Sequence, residues 1–228
     1  MILAIETSDI LCSIAFWEKG RSLLEYNLEL AQQHATLVGS LTGQGLTFLS
    51  APERLKKYSA DDIELVAVSI GPGSFTGLRI GLSFAQGFCS AKNLPVAGIS
   101  NHQILAAQRL KMDGAVFTII EARRNEVYFA SHKIISDAYT QIDEHKIVNK
   151  NELAEIVPTG AQLIFSKDLH LSGEVRSALS ANNIIVIDNA RFTSNFLAGL
   201  AQSKIEIEGP DKLADLEPLY IRPFAGAM

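Results

Sequence analysis

Three stretches of this chain of 228 residues hold side chains and glycines with chemical potential. The longest is Ser69-Ile70-Gly71-Pro72-Gly73-Ser74-Phe75-Thr76-Gly77-Leu78-Arg79-Ile80-Gly81. An apolar run enters it and a helical pattern leaves it, which is the setting of phosphate-binding loops. The details exclude the two common kinds. A dinucleotide fingerprint needs glycine at the sixth position, where Thr76 stands, and a Walker A loop needs Gly-Lys-Ser/Thr, whereas Gly77 is followed by Leu78-Arg79. The second stretch is Glu6-Thr7-Ser8, a carboxylate and two hydroxyls at the end of the first apolar run. A carboxylate with hydroxyls could hold a metal–phosphate group, which makes Glu6, Thr7 and Ser8 candidates for a vestigial nucleotide site. Taken by themselves the residues favour a plainer reading, with hydroxyls satisfying turn N–H groups and Glu6 solvated at a strand end. The third stretch, Glu121-Ala122-Arg123-Arg124-Asn125-Glu126-Val127-Tyr128, concentrates charge at a strand turn. It reads either as a hairpin with cross-strand ion pairs or as a docking patch.

Nucleophiles and metal ligands are poorly arranged. The histidines are His34, His102, His132, His145 and His170, and no two have the i, i+4 spacing that puts a ligand pair on one helix face. Ala106 stands where the partner of His102 would be, so His102 reads as a capping or packing residue and no metal site is expected. Gly73-Ser74-Phe75 lacks the flanking pattern of a nucleophile elbow. Cys12 and Cys89 lie in apolar surroundings and read as small buried hydrophobes in a reducing compartment. With 25 Asp plus Glu against 20 Lys plus Arg and no basic cluster, contact with RNA is expected only through partners. The start has no basic leader, and no apolar run approaches the roughly 20 residues of a membrane span. A cytoplasmic protein without membrane contact is expected.

The elements that must position these residues follow from periodicity. Ile2–Ile5, Ser13–Trp17 and Arg21–Leu30 read as a three-strand meander, Gln33–Leu49 as a helix and Leu65–Ile70 as a strand. A helix from about Thr76 to Lys92 and a strand Pro95–Ile99 complete the order β-β-β-α-β-α-β. A weaker copy of this order follows, so two lobes are expected, 1–101 and 102–228, with the C-terminal tail free to pack back on the first. The helix after the glycine loop is apolar on nearly all sides and has small residues at Gly77, Gly81, Ala85 and Cys89. Interior glycines cost about 1 kcal/mol each against alanine, and close approach of another helix is the compensation expected.

Four blocks in order carry a family resemblance. Ile2-Leu3-Ala4-Ile5-Glu6-Thr7-Ser8, the glycine stretch with Ala85-Gln86-Gly87, Glu121-Ala122-Arg123 with Glu126-Val127-Tyr128, and Pro218-Leu219-Tyr220-Ile221-Arg222 resemble blocks of the bacterial TsaB family, also called YeaZ. The resemblance implies an α/β fold of the actin/Hsp70/sugar-kinase (ribonuclease H-like) class, two lobes each built on a βββαβα unit. It implies a non-catalytic subunit in synthesis of threonylcarbamoyladenosine in tRNAs that read ANN codons. The implied partners are a TsaD-type catalytic subunit and a TsaE-type ATPase, with tRNA met only through the complex. ATP and a metal then belong to the partner subunits, and this chain has no cofactor of its own. The two glycine-punctuated helices become the partner face, with Leu37, Leu41, Gly77, Arg79, Gly81, Ala85 and Cys89 as its residues, and the same face is expected to close a homodimer. The rival readings are a metal-dependent glycoprotease-like peptidase and a sugar-kinase-like phosphotransferase. Two departures from the family pattern are Glu6 in place of the commoner Asp and the pair Asn101-His102.

Overall fold

The computed structural model describes residues 1–30, 33–109, 112–135, 138–141 and 145–221. Two compact units form, one from Met1–Asn101 with Phe192–Leu219 and one from His102–Arg191 with Tyr220 and Ile221.

In the first unit, β1 (Ile2–Glu6), β2 (Leu11–Glu18) and β3 (Arg21–Glu29) form the antiparallel meander, and β4 (Leu65–Gly71) and β5 (Val96–Ser100) extend it in parallel, in the order β3-β2-β1-β4-β5. Parallel strands need crossovers, which α1 (His34–Leu49) and α2 (Phe75–Lys92) provide. Every residue of β1 is buried, so Ile2–Ile5 are apolar without alternation, and Glu6 at its end is buried with them. Alternate side chains point to opposite faces of the sheet. Leu3, Ile5, Ile14 and Phe16 join one core with Val38 and Leu41 of α1 and Leu82 of α2. A methyl group added at Gly45 of α1 would overlap the Phe16 ring, so this glycine seats an aromatic. The other face is covered by a late helix of the chain, α6 (Ser194–Glu208), where Ser194 N donates to Ser13 Oγ at 2.9 Å.

The second unit repeats the plan. β6 (Gly114–Glu121), β7 (Glu126–Ile135) and β8 (Ala138–Gln141) form a meander, and β10 (Gln162–Ser166) and β11 (Ile185–Ala190) continue in parallel, in the order β11-β10-β6-β7-β8. The additional β9 (Lys146–Asn149) also pairs with β7. The helices are α3 (Asn101–Ala107), whose first residue still counts with the first unit, α4 (Leu153–Ile156) and α5 (Gly173–Ala181). Phe117, Ile119, Phe129, Leu163 and Phe165 pack with Leu153, Val175 and Leu179 in its core. Two meanders, each extended by two parallel strands through helical crossovers, are the units of the actin/Hsp70/sugar-kinase class. β8 and β9 were not anticipated, because their four-residue runs are too short to show alternation. Arg222, part of the closing block, lies outside the described residues.

The boundary drawn at 102–228 needs adjusting. That range was expected to form the second lobe with its tail free to pack back on the first, and the stretch Phe192–Leu219 folds into the first unit. The polar anchors of its end explain why. Asp211 N donates to Val96 O at 2.9 Å, and the Asp211 carboxylate accepts from Gly98 N at 2.7 Å and from Lys204 Nζ at 2.6 Å. Gln86 of α2 donates to Leu216 O at 2.9 Å, and Leu219 N donates to Ile70 O at 2.7 Å, at the end of β4. Replacing Asp211 by Ala should lower stability by about 1–2 kcal/mol, from the loss of a charge-assisted bond to a sheet N–H. Urea unfolding of the variant beside the native chain measures this.

Candidate functional site

The glycine stretch and Glu6-Thr7-Ser8 meet in the first unit, and they meet backbone to backbone. Ser74 caps α2, its Oγ accepting from Gly77 N at 3.2 Å. Ser74 N in turn donates to Ser8 O at 2.7 Å, and Thr7 Oγ1 donates to Gly77 O at 2.8 Å. A Cβ built at Gly73 would lie 2.6 Å from Ser8 O. One at Gly77 would overlap Thr7 O, and one at Gly81 would overlap Thr7 Oγ1. Three glycines at fourfold spacing are therefore a single feature, the seat of the loop that leaves β1. This corrects the expected partner stripe. Gly77, Gly81, Ala85 and Cys89 are buried against their own unit, and Leu41 is buried in the same core. Of the expected partner residues, Leu37 remains half-buried and Arg79 exposed. The helix is apolar nearly all round because one face meets the sheet and another lies beside α1.

Glu6 is not the solvated strand-end residue expected, since its side chain is fully buried. Its Oε1 accepts from Ser8 N and from Ser8 Oγ, both at 2.5 Å, and the Ser69 hydroxyl faces the same carboxyl. Its Oε2 has no partner of good geometry. Asn101 Nδ2 closes the group, donating to Ser8 Oγ at 2.5 Å and to Pro72 O at 2.8 Å. Burial pushes the Glu6 carboxyl up to about 7, against the opposing bonds from Ser69 and Ser8, with a further upward push from Asp9. Burial, and secondarily the nearby Glu6, raises the Cys12 thiol to about 11. As a nucleotide site the cluster fits poorly, because Thr7 and Ser8 are buried and their hydroxyls are engaged within the protein. Asn101 and Ser69 were not read as part of the site, and no motif spacing connects them with Glu6.

In the second unit, His102 lies in a cluster that its neighbours in sequence do not announce. His102 Nδ1 is 2.7 Å from Thr118 Oγ1 of β6, and His132 Nε2 of β7 is 3.1 Å from the same hydroxyl. The rings of His102 and His145 stack with centroids 5.0 Å apart and planes inclined by 23°. Lone pairs of imidazole lie in the ring plane, so nearly parallel stacked rings do not converge on one ion. Among the described residues no group of three His, Cys, Asp or Glu side chains is placed to hold a metal. Burial lowers the His102 and His145 rings, and takes His132 to about 4, with mutual repulsion contributing at His102 and His132. In the third stretch, Glu121 pairs not across its hairpin but with Lys150, at 2.9 Å to both carboxylate oxygens.

The outward sides of α1 and α2 have a different character. Gly39, Gly43 and Gly87 are exposed, and added methyl groups at Gly43 and Gly87 would meet nothing within 4 Å. Phe84 lies 3.6 Å from the Cβ position of Gly39 and stacks on Phe88 with ring centroids 6.0 Å apart. Phe48 and Phe75 are 50% and 45% exposed, under the guanidinium groups of Arg54 and Arg79 respectively. The small residues that open outward are thus these glycines, not Gly77 and Gly81.

The family model of TsaD, described as tRNA N6-adenosine threonylcarbamoyltransferase, matches residues 52–197. The tRNA threonylcarbamoyladenosine biosynthesis protein TsaB of Escherichia coli is 31% identical over 175 residues, covering 76% of this chain and 68% of that protein. The chain belongs to the TsaB family. TsaB of Haemophilus influenzae is 27% identical over 230 residues, covering 97% of this chain and 93% of that protein. The solved structure of YeaZ from Pseudomonas aeruginosa superposes with a TM-score of 0.76 at 20% identity, over 96% of this chain and 99% of that one. That likeness is one of fold. Among the described residues no helix is long and apolar enough to cross a membrane.

Two substitutions separate the roles of the TsaB-type helix. Gly77→Ala should destabilise the chain by about 1–3 kcal/mol or more, because its methyl meets backbone that has nowhere to go. Gly87→Ala should leave stability equal or higher by up to about 1 kcal/mol. Thermal melts of both variants check the contrast. The histidine cluster sets a pH limit. A His whose pKa is lowered on folding contributes no penalty above about 6.5, and its stability cost grows as pH falls towards the folded value. For His132, with its folded value at about 4, that cost reaches roughly 3 kcal/mol. His132→Gln should flatten the acid limb of stability against pH between 6.5 and 4, and a variant as acid-labile as the native chain contradicts the assignment.

Proposed function

We propose that this chain is a non-catalytic subunit in the synthesis of tRNA threonylcarbamoyladenosine. In this reading it pairs with a TsaD-type catalytic subunit through the outer faces of α1 and α2. The observation that carries the non-catalytic role is the closure of Thr7 and Ser8 onto Gly73, Gly77 and Gly81, which commits the groups of the candidate phosphate site to holding the fold together. Ala106, four residues after His102, likewise withholds the second ligand that a metal-dependent peptidase of this superfamily would use. A phosphotransferase would need a phosphate loop in the second unit, and its turns offer no counterpart to Gly71–Gly77. ATP and metal chemistry is then supplied by the TsaD-type subunit and a TsaE-type ATPase, and tRNA is bound by the assembled complex.

The pairing face has the composition that packed helices require. Small residues at Gly39, Gly43 and Gly87 allow close approach, and the half-buried rings of Phe84 and Phe88 supply apolar area. Match of the TsaD model to this chain supports kinship between the two subunits, so the face suits pairing between related folds and also a second copy of the chain.

The test is charge and bulk placed where the chain itself has open space. Gly43→Arg combined with Gly87→Glu should leave the melting temperature within a few degrees of native and reduce association with a co-expressed TsaD-type subunit by tenfold or more. Size-exclusion chromatography with light scattering reads the complex, and nucleoside analysis of tRNA from a complemented deletion strain reads the modification. A folded double variant that pairs and complements normally overturns the proposed face.

A further inference from the structure

The joint between the β1 exit loop and the glycine loop holds two buried acceptors that no donor meets. Around Ser8 lie both oxygens of Glu6, Asn101 Oδ1, Pro72 O and Ser8 O. The donors are Ser8 N, Ser8 Oγ, Asn101 Nδ2 and Ser74 N, with the Ser69 hydroxyl also facing Glu6. Glu6 Oε2 and Asn101 Oδ1 are buried without a partner. A carboxylate only accepts, so an ionised Glu6 leaves a buried charge in a cluster, joined through Ser8 Oγ, that already holds a second unpartnered acceptor. A protonated carboxyl removes the charge and adds a donor to that cluster.

We propose that the Glu6 carboxyl is a proton-operated latch, which when protonated clamps the β1 exit loop to the glycine loop and to Asn101, and when ionised loosens that joint. The titratable groups that act on it are Asp9 in its own loop and Cys12 of β2. β4 presents Ser69, the glycine loop presents Pro72, and α3 presents Asn101, none of which titrates. The latch sits on bonds that start α2, since Ser8 O accepts from Ser74 N and Thr7 Oγ1 donates to Gly77 O. Its effect is therefore local to the loop and to the first turns of the helix. It belongs to the isolated chain and stands whether or not α1 and α2 meet a partner.

The direction with pH follows from linkage. With the closed joint holding the carboxyl near 7 and the opened joint releasing it to the ordinary value of 4.5, the opened population grows as pH rises between those values and levels off above 7. The growth is about tenfold per pH unit at its steepest, so roughly ten- to a hundredfold between pH 5 and pH 8. Hydrogen–deuterium exchange of the full chain, corrected for the intrinsic pH dependence of exchange, reads it in peptides spanning 6–9 and 72–79. The expected result is a loss of protection of that size in those peptides as pH rises, whereas β6 and β7, whose buried histidines cost stability towards low pH, show no loss with rising pH. Glu6→Gln should hold its protection constant over the same range. Asp9→Asn, at a half-exposed position whose charge pushes the carboxyl up, should move the levelling-off to lower pH. If Glu6→Gln does not fold, the native chain and Asp9→Asn decide the matter. Flat protection in the native chain overturns the latch, as does a Gln variant that follows the native pH dependence.

Discussion

Two backbones touch in the first unit, and most of what is distinctive about the chain follows from that touch. Thr7 and Ser8 leave β1 and lie directly on the glycine loop and the first turns of α2, at a distance that no Cβ allows at Gly73, Gly77 or Gly81. Glycine inside a helix is unfavourable by about 1 kcal/mol relative to alanine. Here the cost is offset by hydrogen bonds that run both ways across the contact, Ser74 N to Ser8 O and Thr7 Oγ1 to Gly77 O. The contact places α2 on the sheet at fixed depth, and Leu78, Leu82, Ala85 and Cys89 are buried as a result.

The same contact converts a phosphate-loop arrangement into a structural joint. Of the side chains with the right chemistry for an anion, Thr7 and Ser74 spend their hydroxyls on the backbone and Ser8 spends its own on Glu6. Glu6 is drawn fully inside, where its carboxyl is neutralised more readily than in water. What the first unit offers outward is therefore a surface of helices rather than a pocket of donors, and this is the physical basis for reading the chain as a binding subunit.

The second unit keeps the strand plan without that joint. Its buried polar feature is instead the Thr118 hydroxyl between His102 and His132, with His145 stacked on His102. These imidazoles lie on α3, β6's neighbour β7 and the segment before β9, and they are held neutral by burial. The position after Asn101 thus carries a packing histidine among other histidines, and Ala106 is buried nearby in the sequence without a ligand's chemistry.

By itself the sequence determined the elements and their order. The unbroken apolar runs of β1 and β4 signalled strands, and the β-β-β-α-β-α-β order with its weaker copy signalled the repeated unit, because these are local periodicities. The four motif blocks also point to the TsaB family. Only the tertiary structure decided which surface each motif serves. Fourfold glycine spacing shows that something comes close to α2 but not whether it is a partner's helix or the chain's own Thr7, about 70 residues away. Glu6 looked solvated because no spacing rule ties it to Ser69 or Asn101, and His102 looked solitary because β6 and β7 bring Thr118 and His132 to it only when the sheet pairs. Phe192–Leu219 returned to the first unit for the same reason, since its anchors on Val96, Gly98 and Ile70 are contacts between residues more than a hundred positions apart. Pairings of that range leave no period in the chain, and a sequence pattern records only that a position must be small, apolar or polar, not what it will meet.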